Sequence, residues 1–377
     1  MPGVADLPLH TGRVPPWMLR LMERMGEKIV EAVIEIHGVE GLLRGLSDPI
    51  WFQAFNNVIG MDWDSSGSTT VLTGILKTVS WRRRDLGFLV LGGKGRSMTR
   101  IPEEAVEASR ILDVGPEDLA SAGKLTARIA SSLLQDGYTI YHHALIATSN
   151  TILVISQGMN TGAGMARRYH IDKLVVEEPF SGISGVRHES VLNVASRDSR
   201  EARKTFIDII GEGSRRIIKL LYEANRIASG SKTLLDYISG GGSEAPKRRY
   251  KPVIPSRSLI KAIEELANAQ PSTEEELALA PGLGPTVVRA LALIADLIYS
   301  TPTDTRDPVT HPLDPFLYAY AVGGKDGIPY KYRPDTARKA IEVLEEAIEA
   351  SRLGDREKLR ALGRLRSLVR GTPRARY

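Results

Sequence analysis

Two aspartates two positions apart, Asp62 and Asp64 in the run MDWDSSG, offer the paired carboxylates that a divalent cation needs, and Asp136 in LQDGYTIYHH offers a third. Cysteine occurs nowhere. Disulfides, thiolate zinc sites and cysteine nucleophiles are therefore excluded, and any metal must be held by His, Asp, Glu or carbonyl oxygen. Mg²⁺ or Mn²⁺ is the expected ion, because both favour hard oxygen ligands. His142 and His143 lie just beyond Asp136, and His10 stands in LPLHTGRVPPW. Each has the ring chemistry of a general base or a further ligand. Lys94 and Arg96 after a glycine pair, and the adjacent Arg167 and Arg168, could offset charge developing on a phosphate. Glu177 and Glu178 read as a surface pair. Such a set fits metal-dependent phosphodiester hydrolysis, although His142 and His143 inside an apolar strand read equally well as hydrogen-bonded core residues.

These side chains need elements to hold them. Thr139 to Thr148 and Thr151 to Gln157 alternate as strands around a turn at Ser149-Asn150, which sets His142 opposite Gln157 on one face and points His143 the other way. Asp136, a strand and then Gln157 is a partial match to restriction-type nucleases, but Met159 stands where their lysine is expected. The segment 86–91 reads as a buried strand leading into GGKGR, which could cradle a phosphate yet lacks the GxxxxGK[ST] of a P-loop. Pro102 opens a helix with glutamates in its first turn, and 199–229 reads as helix interrupted near Gly211 and Gly213.

The chain of 377 residues, 42% hydrophobic and 25% charged, has the composition of a globular protein of two domains. No apolar run approaches the length of a membrane span, and no basic segment precedes an apolar one near the start, so a cytoplasmic protein is expected. Residues 1–228 read as an α+β domain, 229–258 as a Gly- and Pro-rich linker with the basic cluster Lys247, Arg248, Arg249 and Lys251, and 259–377 as all helical. Within the last part, LALAPGLGPTVVRALALIADLIY at 277–299 resembles the helix-hairpin-helix family of DNA-binding elements. Gly282 and Gly284 occupy its hairpin, and Thr286 and Arg289 fall where such helices touch the sugar-phosphate backbone. Free amides at a helix N-terminus suit phosphate and read no bases, so DNA binding without sequence preference is expected. The tail 351–377 carries nine Arg or Lys against two acids.

Over nearly its whole length the chain resembles the family catalogued as domain of unknown function 763. The matching runs are LPLHTGRVPPW, LSDPIWFQ, MDWDSSGSTT, GGKGRSMTRIPEE, LQDGYTIYHH, QGMN, ARRYH, VEEP and, with Lys325 as a further DNA-contact candidate, GGKDGIPY at 323–330. The resemblance implies an endonuclease acting on bubbled or otherwise distorted DNA, with a first domain similar to the ParB and sulfiredoxin fold. Asp64, Ala130 and Phe180 depart from the pattern, at positions where His, a carboxylate and His are expected. Two readings follow: a metal-dependent endonuclease using Asp62, Asp64, Asp136, His142, His143, His10, Gln157 and Lys94, or a noncatalytic DNA-binding accessory whose first domain forms a homodimer or docks a partner. An enzyme unconnected with nucleic acid is a third.

Overall fold

The computed structural model describes residues 7–8, 16–59, 66–229 and 252–311, together with Glu346 and Glu349. Its centre is an antiparallel sheet built outward from one hairpin. Strands β4 (Thr139–Ala147) and β5 (Ile152–Asn160) are rich in β-branched and apolar residues. Their turn closes where Thr148 N–H donates to Thr151 O at 2.9 Å, and Thr148 Oγ1 accepts from the amides of Asn150 and Thr151. That turn fixes Ala147 opposite Ile152 and, running outward, His142 opposite Gln157, as the spacing requires. A bulge at Tyr141 then shifts the register by one residue.

β2 (Leu89–Lys94) flanks β4, and β6 (Met165–Ile171) flanks β5. β1 (Leu7–Pro8) and β7 (Phe180–Ser184) both pair with β6. A separate small pair joins β3 (Leu134–Gln135) to β8 (Leu192–Asn193). Alternation of side chains divides the sheet into two apolar faces. Val90, Ala144, Ile146, Leu153 and Ile155 pack under α1 (Pro16–Ser47, two helical segments meeting at Gly38), α2 (Pro49–Ile59) and α3 (Gly67–Arg82). Leu89, Leu91, Leu145, Ala147, Val154 and Ile171 share a core with α4 (Ile101–Leu112) and α5 (Pro116–Arg128). The protein is thus mixed α+β, with a small antiparallel sheet between two helical layers.

The remaining helices are α6 (Arg200–Gly211), α7 (Ser214–Ala228), α8 (Arg257–Ala269), α9 (Glu274–Leu279) and α10 (Pro285–Tyr299). The break at residues 211–213 and the two glutamates after Pro102 fall where the sequence places them, and Thr273 caps α9 by accepting from the Glu276 amide. The packing of α6 and α7 is different from the sequence expectation. They share one core with α8, α9 and α10, around Phe206, Ile217, Leu221, Leu266 and Leu291. The helical bundle therefore begins at residue 200, and the linker interrupts the bundle instead of preceding it. Leu125, Ile129 and Leu133 of the sheet domain belong to the same core, so the bundle is joined to the sheet by continuous apolar packing. After α10 the chain returns: Val191 N–H donates to Thr305 O, and the amides of Thr310 and His311 donate to Ile183 O.

Candidate functional site

Five strands contribute to one polar row. Cross-strand partners project from the same face. The register sets Lys94 opposite His142, His142 opposite Gln157, Gln157 opposite Arg168 and Arg168 opposite Ser184. All but Lys94 are buried, and they lie on the face covered by α1, α2 and α3. Phe52 of α2 lies 4.6 Å beneath the Arg168 guanidinium, with Asn56 one turn farther along the same helix face. Thr73 of α3 bonds His142, and Thr69 is one turn before it. Lys94 Nζ lies 5.9 Å from the Tyr141 ring, and the Tyr141 hydroxyl bonds Ser66 at the start of α3.

Many polar atoms of this layer have no hydrogen-bond partner among the described residues: Asn56 Oδ1, Thr69 Oγ1, His142 Nδ1, both amide atoms of Gln157 and Ser184 Oγ. At about 1–3 kcal/mol for each buried unsatisfied atom, six of them weigh as much as the whole net stability of a domain, about 5–15 kcal/mol. Such a layer calls for partners outside the described residues, whether water, a ligand or other parts of the chain. The tautomer of His142 follows from its neighbour. Thr73 donates its hydroxyl hydrogen to Thr69 O at 2.7 Å, so His142 Nε2–H donates to Thr73 Oγ1 at 3.0 Å and Nδ1 carries a bare lone pair. Burial, aided by His143 and Lys94, lowers the His142 pKa to about 3, which keeps the ring neutral. His170, on the same face, donates from Nδ1 to Leu46 O and accepts from Arg168 Nε at Nε2. Burial holds it neutral as well.

Asp136 sits on the other side of the sheet and is fully engaged. Its carboxylate accepts from Arg167 Nη1 at 2.7 Å, from the Tyr169 hydroxyl at 2.8 Å and from the Tyr138 amide at 3.2 Å. Arg167 also forks onto Asp307, at 3.1 and 2.8 Å, and donates to Val186 O. None of these three charged side chains is exposed. Burial pushes the Asp136 carboxyl above its ordinary range, against the pull of Arg167. The expectation that Asp136 joins a metal cluster and that Arg167 clamps DNA phosphate is corrected by this geometry, because both side chains are spent on a buried ion pair that ties the 303–311 segment to the sheet. Arg168 is equally buried and cannot lie against a duplex surface, although it remains part of the polar row.

His143 points away from the row, as the alternation requires. Its Nδ1 meets Ser156 Oγ at 2.7 Å and its Nε2 meets Gly123 O at 3.1 Å. Burial lowers its pKa to about 4. It is a satisfied core histidine. The glycine pair ahead of Lys94 is also occupied. Gly92 N–H donates to Glu104 Oε2 at 2.8 Å, and Lys77 bridges Gly92 O and the same carboxylate. A side-chain carboxylate thus sits where a bound phosphate was expected. Gly92 cannot be replaced here: its φ is +80°, and a Cβ would lie 2.4 Å from His143 O. Lys94 and Arg96 remain exposed. Ala130 is buried in the apolar core and Phe180 is half-buried against Tyr169. Glu177 pairs with Arg200 and Arg203, which hold its carboxyl below the usual range, and Glu178 accepts from the Arg197 amide.

In the bundle, α9 and α10 form a tight αα-hairpin. Gly282 has φ +78°, and a Cβ there would lie 2.1 Å from Ala262 O, so this glycine is required by packing on α8. Leu283 is buried in the bundle core. Gly284 differs, since a Cβ would meet nothing within 4 Å. Thr286 and Arg289 are exposed, and Arg289 donates to Thr286 Oγ1 and Gln135 Oε1.

His10, Asp62, Asp64, Lys325, the linker cluster at 247–251 and the tail 351–377 lie outside the described residues. Among those described, no group of three His, Asp or Glu side chains could hold a metal ion. Sequence reasoning missed Asn56, Thr69, Thr73, Ser184 and Asp307. For Asn56 a signal existed, a polar pair inside the apolar helix WFQAFNNVI. The other four carry no local mark.

An α+β chain with a buried polar row across its sheet and a glycine-tipped hairpin in its bundle is the class defined by these features. The chain belongs to the family described as protein of unknown function (DUF763), whose profile matches residues 3–332. No curated protein and no solved structure matches it. No helix among the described residues is long and apolar enough to cross a membrane.

Proposed function

We propose that this protein is a DNA endonuclease acting on bubbled, distorted or partly single-stranded DNA, with the polar row as its catalytic layer and the α9–α10 hairpin as its sequence-independent anchor. The observation that carries the reading is the set of buried polar atoms on one face of the sheet that have no partner among the described residues. The segment 60–65, with Asp62 and Asp64, joins the two helices that cover that face. Gln157 Oε1 and Asn56 Oδ1 are uncharged oxygen ligands of the kind a Mg²⁺ or Mn²⁺ shell takes, and Asp62 and Asp64 would supply the anionic part. Such an ion, when bound, would polarise the phosphoryl group and make water a nucleophile at neutral pH. The chain's own residues do the rest. Lys94, the exposed end of the row, would oppose the charge that grows on the phosphate, while the buried Arg168 and Gln157 lie behind it in the same row and the bare lone pair of His142 is open to a hydrogen bond or a ligand. Resemblance of 277–299 to a helix-hairpin-helix, and of the sheet domain to the ParB and sulfiredoxin fold, belong to this reading.

A noncatalytic DNA-binding accessory is the second reading, favoured by Asp64, Ala130 and Phe180 departing from the family pattern. One experiment separates the two. Labelled single-stranded, duplex and bubble DNA are incubated with the purified chain in Mg²⁺, Mn²⁺ or chelator. Cutting of the bubble with metal and none in chelator supports the endonuclease. Binding without product under every condition moves the assignment to the accessory, and an absence of both binding and cutting rejects both.

A further inference from the structure

A cleft of about 810 Å³ separates the sheet domain from the hairpin, on the side opposite the polar row. Its size is that of a small-molecule site. Apolar side chains, among them Met98, Ile101, Pro102 and Ile140, form much of its wall, and no Asp or Glu lines it. Two cations do. Lys124 Nζ donates to Leu279 O at 2.6 Å, and Arg289 is held by Gln135 and Thr286. Neither pairs with a carboxylate among the described residues, so the cleft has an uncompensated positive edge beside an apolar interior. Pro285 and Arg289 line this edge and belong to the first turns of α10, whose N-terminus carries no side-chain cap.

We infer that the cleft receives one unpaired nucleotide of a DNA strand, its base among the apolar side chains and its phosphate against Lys124, Arg289 and the N-terminus of α10. This rests on the DNA-binding reading above and adds to it the element that senses loss of pairing. A base inside a duplex must first break its pairing and stacking to enter, whereas a bulged or single-stranded base has already lost them. The cleft therefore discriminates by the structure of the DNA without reading its sequence.

The test is fluorescence anisotropy of the full chain at fixed salt with three labelled probes: an oligothymidylate, a fully paired duplex and the same duplex carrying one bulged thymidine. The bulged and single-stranded probes are expected to bind about tenfold tighter than the duplex. Ser121→Trp, on the exposed rim of α5, and Ala127→Phe, farther in, fill the cleft. Each is expected to bring both unpaired probes down to the affinity of the duplex while leaving the duplex unchanged. Melting curves verify that each variant is folded, and either one suffices. Equal binding of the three probes by the parent, or an unchanged preference in a folded cleft-filling variant, overturns the cleft assignment and leaves DNA binding standing. A parent that binds none of the probes overturns both.

Discussion

Arg167 and Asp136 meet at 2.7 Å with neither side chain exposed, and the same guanidinium reaches Asp307, 140 residues farther along the chain. A buried pair of this kind is weak evidence for added stability, yet breaking it is costly, because the surviving charge stays buried. Its place behind the sheet gives Asp136 a role in holding the 303–311 segment, remote from any chemistry on the other face.

Asp136→Asn should therefore lower the stability of the fold, by about 3–5 kcal/mol if Arg167 is left undercompensated. Urea unfolding of parent and variant measures this directly. Loss of DNA cutting in a variant with unchanged unfolding midpoint would return Asp136 to the catalytic set.

Gln157→Leu should do the reverse. Both amide atoms of Gln157 are buried and have no partner among the described residues, so replacing them by an apolar group of similar volume should remove a cost of about 1–3 kcal/mol. The variant is expected to be as stable as the parent or more so, and inactive in DNA cutting. Destabilisation would mean that the amide is hydrogen-bonded in the resting protein.

The two hairpin glycines should separate fold from binding. Gly282→Ala places a Cβ against Ala262 O at a positive φ and should lower the melting temperature clearly. Gly284→Val projects into open space, so the melting temperature should hold while affinity falls alike for every DNA sequence. A folded Gly284→Val protein that binds like the parent makes the hairpin purely structural.

Acid should destabilise the protein in a defined window. The pKa of His142 is lowered to about 3 and that of His143 to about 4, from 6.5. Below pH 6.5 the unfolded chain thus binds protons that the folded chain refuses, and stability falls with pH by ~1.4 kcal/mol per unit for each histidine. The loss continues until the folded pKa values are reached, near 4 and then 3. Unfolding midpoints between pH 7 and pH 4 should show this slope, and His143→Gln should reduce it. A flat profile would mean that these rings are charged in the folded protein.

The hairpin register was legible because a two-residue turn and strict alternation are local. Ser149-Asn150 alone sets His142 opposite Gln157 and sends His143 to the other face. The helix opened at residues 101–102 and the break at 211–213 were legible for the same reason, since caps and glycine breaks act within one turn. Tertiary structure alone decided which charges are available. Arg167, Arg168 and Asp136 look like catalytic or phosphate-binding residues in the sequence. Burial and a partner from residue 307 make Arg167 and Asp136 a strut, while Arg168 enters the row only because β5 places Gln157 beside it. Glu104 likewise reaches the Gly92 amide from another element. Such pairings join residues far apart in the chain, and the free energy that selects them comes from desolvating both partners together, a quantity that no local run of residues carries.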